Sequence, residues 1–147
     1  MELLTLLQRI ELFTGLDNDQ FSKLAAIVEH RQLKPGEVVF QQGTQGDQLY
    51  IVKSGFVEVI VDETGHASER TIVHLGPGQS VGEMALVDQG SRSATVRATG
   101  DETVIVSLSR RAFENLCESD TAIGYIVMKN IAADLSFKLR HRTLNDN

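Results

Sequence analysis

The stretch Pro35–Val61, PGEVVFQQGTQGDQLYIVKSGFVEVIV, decides the fold. Three short apolar runs, Val38-Val39-Phe40, Leu49-Tyr50-Ile51-Val52 and Phe56-Val57-Glu58-Val59-Ile60-Val61, are separated by segments that carry Gly43, Gly46 and Gly55. Short runs rich in β-branched and aromatic residues, bounded by turn formers, predict strands. The same rhythm continues in Thr71-Ile72-Val73-His74-Leu75 and Val104-Ile105-Val106-Ser107-Leu108. Ten of the 12 glycines lie between Gly36 and Gly100, and both prolines, Pro35 and Pro77, are followed by glycine. Many short strands with regular turns predict a β-sandwich or barrel, not an alternating α/β domain.

Helical spacing brackets this region. Leu3, Leu4, Leu6, Leu7 and Ile10 predict one short helix, and Phe21, Leu24, Ala25 and Val28, after the polar starter Asp17-Asn18-Asp19, predict a second. Beyond Ser109 a helix is predicted over 110–118, then a longer one from about Thr121 to Arg142. Ile123, Val127, Ile131, Leu135 and Leu139 recur every four residues along the longer helix, an apolar stripe for packing on the β body or on a partner helix. The 147 residues read as one domain: N-terminal helices over 1–34, a β region over 35–109 and C-terminal helices over 110–142.

Composition narrows the function classes. Twenty acidic against 14 basic residues give a net charge of -6, the wrong sign for affinity built on neutralising nucleic-acid phosphates. The basic cluster Lys138, Arg140, His141 and Arg142 suits the C-terminal end of a helix. The chain has no run of roughly 18 apolar residues and no signal-peptide pattern at Met1-Glu2-Leu3-Leu4, so a soluble, cytoplasmic protein without a membrane partner is expected. Cys117 is the only cysteine and lies in an apolar helical patch, as a structural thiol would. The four histidines are scattered, and no metal site is predicted.

Chemistry concentrates in VGEMALVDQGSRSATVRATG, Val81–Gly100. A turn feeds Gly82-Glu83-Met84-Ala85-Leu86, whose first backbone N–H groups sit at the positive end of a short helix. Nine positions after Glu83, Arg92 offers a planar fork able to hold two anionic oxygens, which lysine does not reproduce. Glu83 repels a phosphate aimed at it but suits a neighbouring hydroxyl. On the residues alone two arrangements stay open: an ion pair between Glu83 and Arg92 closing the loop, or two grips on one ligand that carries a phosphate beside a hydroxyl.

Gly82-Glu83-Met84-Ala85-Leu86 followed by Arg92-Ser93-Ala94-Thr95-Val96 resembles the phosphate-binding cassette of cyclic-nucleotide-binding domains. Leu12-Phe13-Thr14-Gly15-Leu16, the run from Pro35 to Gly43, the run from Gly46 to Gly55, and Leu75-Gly76-Pro77-Gly78 resemble the same family's strand and turn pattern. The resemblance implies an α+β, mainly β fold: an eight-stranded jelly-roll-like β-roll with N-terminal helices and C-terminal B and C helices. It implies a 3′,5′-cyclic nucleotide as ligand, cAMP favoured over cGMP, and no cofactor.

By position, it assigns Arg92 to the cyclic phosphate and Glu83 to the ribose 2′-hydroxyl. Gly82, Met84, Ala85 and Ala94 line phosphate and ribose, and Ser93 adds a hydroxyl beside the phosphate. Base and lid contacts fall to Ile72, Leu75, Leu135, Lys138 and Leu139. Where bacterial activators of the family carry an adenine-contacting threonine, this chain has Lys138. With no metal cluster, Ser-His-Asp arrangement or general base near the cassette, the expected function is a sensor or regulatory module, not an enzyme. The resemblance implies that the C helix acts as lid, and a protein partner or a second copy is expected on the same helix. Bacterial activators add a helix-turn-helix after that helix, and with Asn147 following shortly no direct nucleic-acid contact is expected. A non-binding scaffold, or a dimerising relative of those activators, is the alternative.

Overall fold

Alternation along two neighbouring strands sets the architecture. In β3 (Gln48–Ser54), Leu49 and Ile51 belong to one buried cluster, whereas Tyr50 and Val52 belong to another. In β8 (Thr103–Ser109), Val106 and Leu108 join the first cluster and Ile105 the second. A period of two sends successive side chains to opposite faces, so a sheet apolar on both faces must be covered on both.

In a computed structural model, described over residues 2–62 and 69–145 with the side chains of residues 69, 72 and 143–145 excepted, those two coverings are a second sheet and a layer of helices. The first sheet runs β1 (Glu29–Leu33), β8, β3, β6 (Ser80–Val81). The second runs β2 (Val38–Phe40), β7 (Thr95–Ala98), β4 (Val57–Asp62), β5 (Glu69–Leu75). All pairings are antiparallel. Leu33, Val52 and Ile105 of the first sheet meet Val57, Val96 and Ala98 of the second in one core, as in a jelly-roll-like β-roll.

The helical layer consists of α1 (Leu3–Gln8), a 3₁₀ turn at Glu11–Phe13, α2 (Asn18–Ala25), α3 (Arg110–Ser119) and α4 (Thr121–Asn145). Asp17 caps α2 reciprocally: its Oδ1 accepts from the Gln20 N–H at 2.8 Å, while Gln20 Oε1 accepts from the Asp17 N–H at 2.9 Å. Ser109 caps α3 by accepting the Ala112 N–H at 3.1 Å. The stripe on α4 is used unevenly. Ile123, Val127 and Ile131 are buried, each contributing on the order of 1.5–3 kcal/mol, but Leu135 is half-buried and Leu139 is exposed. Asn130 pins the helix at mid-length, its Nδ2 donating to the carbonyls of Leu12 at 2.8 Å and Thr14 at 2.9 Å. Cys117 is half-buried, and desolvation reinforced by Asp120 and Glu114 raises its thiol pKa.

Two expectations are corrected. Segment 1–34 is not purely helical, because β1 pairs with β8 from Glu29 to Leu33. Four of its five residues are exposed, so it carries no apolar run to mark it. The helix expected at Gly82–Leu86 is a single 3₁₀ turn, Glu83–Leu86.

Candidate functional site

The site grows from the turn after β6. Gly82 adopts φ +85°, a conformation that costs an L-residue roughly 1–2 kcal/mol. The same glycine also makes room: a Cβ here would lie 2.5 Å from Arg92 Nη1 and 3.2 Å from the Gln48 carbonyl oxygen. Ala85 and Leu86 are buried and anchor the 3₁₀ turn, whereas Met84 and Val87 are exposed. The Ala85 N–H donates to the Gly82 carbonyl at 3.0 Å, so it is not among the open donors expected at the start of this turn.

The loop that follows is tied to the loop between β2 and β3. The Arg92 N–H donates to the Thr44 carbonyl at 2.7 Å, and the Gly43 N–H donates to the Arg92 carbonyl at 2.8 Å. The Gly46 N–H donates to the Gly90 carbonyl at 3.2 Å, and Gln45 bridges Ser91. This backbone lattice fixes the Arg92 Cα before its side chain makes any contact.

The side chain then turns inward and is only 9% exposed. Nη2 donates to the Gln48 carbonyl at 2.7 Å, Cζ lies 4.1 Å from the centroid of the Phe40 ring, and Nε is buried with no hydrogen-bond partner among the described residues. Burial lowers the guanidinium pKa, opposed by Tyr50 and Asp47, but an arginine stays charged at neutral pH. No ion pair joins Arg92 to Glu83; the carboxylate instead accepts from Ser80 Oγ at 3.3 Å. Of the two arrangements left open by the sequence, the loop-closing salt bridge is therefore not formed. The desolvation cost of this guanidinium is offset in part by the Gln48 carbonyl, the Phe40 ring and the attraction of Asp47, and an anion entering beside it offsets it further.

Space for that anion is present. A cavity of about 320 Å³ is lined by all seven cassette residues named from the sequence: Gly82, Glu83, Met84, Ala85, Arg92, Ser93 and Ala94. Phe40 and Gly46 line it too, and nothing in the linear motif marks them. A second cavity of about 700 Å³ shares Glu83 and Met84 with the first and extends to α4. Leu75, Leu135 and Lys138 line this larger space, as do Arg9, Asn130 and Asp134, which no pattern in the sequence singles out. Lys138 Nζ lies 2.8 Å from Asp134, and that hydrogen bond, with a weaker contribution from Glu83, raises the lysine pKa. Leu139 lines neither cavity and is 62% exposed. Ile72 lies on β5, but its side chain is outside the described residues.

A positive, partly unsatisfied guanidinium in a small cavity, beside a carboxylate that faces a larger one, suits a ligand with an anionic head, an adjacent hydroxyl and a bulkier remainder. Residues 30–120 match the family described as cyclic nucleotide-binding domain. The chain is 35% identical over 133 residues to a Cyclic AMP receptor protein of Thermus thermophilus, covering 90% of this chain and 59% of that protein. It is 34% identical over 111 residues to a cAMP-dependent protein kinase regulatory subunit of Blastocladiella emersonii, covering 76% of this chain and 27% of that protein. The chain thus spans less than two thirds of the length of either relative. The crystal structure of the N-terminal domain of a transcriptional regulator from Streptomyces coelicolor matches with a TM-score of 0.81 at 28% identity, over 96% of this chain and 93% of that one. With more than half of its length matched by the family's pattern and its fold shared with these relatives, the chain belongs to the cyclic nucleotide-binding domain family.

Proposed function

We propose that this chain binds a 3′,5′-cyclic nucleotide, cAMP in preference to cGMP, as a non-catalytic cytoplasmic sensor or regulatory module. The observation that carries the reading is Arg92: buried, charged, without a carboxylate partner among the described residues, and lining the cassette cavity with its Nε unpaired. A cyclic phosphate brings one negative charge and two exocyclic oxygens to that guanidinium. Glu83, bordering both cavities, accepts from the ribose 2′-hydroxyl, with Gly82, Met84, Ala85 and Ala94 lining phosphate and ribose and Ser93 alongside. The base extends toward Leu75, Leu135 and Lys138.

The Glu83 assignment has its own test. Wild-type protein should bind 2′-deoxy-cAMP more weakly than cAMP by about ten- to a hundredfold, the loss of a charge-assisted hydrogen bond, and Glu83→Ala should bind both with the same reduced affinity. Retained discrimination in Glu83→Ala places the carboxylate elsewhere.

Transmission is assigned to α4, which already borders the larger cavity through Leu135 and Lys138. Its exposed Tyr125 and Phe137 supply apolar surface for a protein partner or a second copy. A ligand bridging cassette and helix favours the arrangement in which both contacts are made. Slower amide exchange over residues 110–142 at saturating nucleotide is the expected signature; unchanged exchange there contradicts the lid.

A further inference from the structure

Arg92 presents a problem that the cassette motif does not solve. A buried guanidinium is ordinarily matched by a carboxylate, yet no carboxylate pairs with this one among the described residues. A fixed carboxylate would settle the charge and at the same time compete with an incoming phosphate. The groups found against the guanidinium are instead the Gln48 carbonyl, 2.7 Å from Nη2, and the ring of Phe40, with Cζ 4.1 Å from its centroid, while Tyr50 stands further off at 5.8 Å. An aromatic face attracts a cation through its quadrupole and carries no net charge. It therefore stabilises the arginine in the pocket without itself adding a negative charge; Asp47 attracts the same guanidinium but forms no ion pair with it among the described residues.

Phe40 is itself well held. It ends β2, faces Val96 of β7 in the strand register, and its ring lies 5.7 Å from that of Tyr50 at a tilt of 34°. It is half-buried and lines the cassette cavity, although in sequence it lies far upstream of Gly82, where the cassette begins.

We propose that Phe40 is a positioning residue of the anion site, its ring holding the Arg92 guanidinium by a cation–π contact where a carboxylate would otherwise stand. The inference rests on the cyclic-nucleotide reading above. It assigns the strength of phosphate binding partly to a residue on β2, acting through Arg92.

The test is a titration of cAMP into wild type, Phe40→Leu, and a series with mono-, di- and trifluorophenylalanine at position 40. Fluorination leaves the ring's shape nearly unchanged and drains its negative face stepwise, so a purely apolar role predicts no trend. The expected result is a graded rise in Kd across the series, reaching about tenfold for the trifluoro ring and for Phe40→Leu. A flat series with intact wild-type binding overturns the role of Phe40 alone. A wild type that binds neither cAMP nor cGMP overturns the functional reading and this inference together.

Discussion

Replacing Arg92 by alanine is expected to weaken cAMP and cGMP binding alike by at least ten- to a hundredfold, from the loss of about 1.5–3 kcal/mol of charge-assisted hydrogen bonding. Both nucleotides should suffer because the phosphate is the part they share. Arg92→Lys should recover little, since an ammonium keeps the charge but not the planar fork, and it cannot reproduce both the bond to the Gln48 carbonyl and the contact with the Phe40 ring. Calorimetric titration checks both variants. Near-wild-type affinity in Arg92→Ala would move the phosphate elsewhere.

The second large effect is expected from a residue with no functional group. A Cβ on Gly46 would fall well inside van der Waals contact of Arg92 Nε and Cζ. Gly46 does not occupy the left-handed region, so alanine there brings no backbone strain of that kind. The atoms in the way are the far end of a flexible side chain, and the cheapest relief is to push the guanidinium aside. Gly46→Ala should therefore fold with a thermal midpoint close to wild type, yet lose nucleotide affinity by about tenfold or more, as a displaced charge-assisted contact implies. Wild-type affinity in this variant would mean that the guanidinium is not held where the structure places it. Gly82→Ala makes a poorer probe, because its φ of +85° adds strain to the clash.

The ease with which parts of this chain are read from sequence follows from how local their physics is. The polar start of α2 at Asp17 and the apolar runs of β3, β4 and β8 are each set by residues close together in sequence, so pattern alone finds them. Strand β1 escapes because Glu29, His30, Arg31 and Gln32 are all exposed and only Leu33 reaches the core. Strand β6, at two residues, is too short to show any period. The cassette is legible because its residues are contiguous. The environment of Arg92 is not, since the Gln48 carbonyl that accepts from it stands 44 positions away and Phe40 further still. Leu139 shows the reverse limit: a four-residue stripe places it with Leu135, whereas the helix outruns the body it packs on and leaves it exposed. Only the fold brings the β2–β3 loop against the cassette and turns one arginine into a pocket.

The most direct measurement is a calorimetric titration of cAMP and cGMP into the wild-type chain and into Arg92→Ala, side by side. Saturable binding of at least one nucleotide by wild type, tighter for cAMP, is predicted, with a loss of at least about tenfold in the variant. Absence of binding by wild type to either nucleotide, or equal binding by wild type and variant, would contradict a cyclic-nucleotide site built on Arg92.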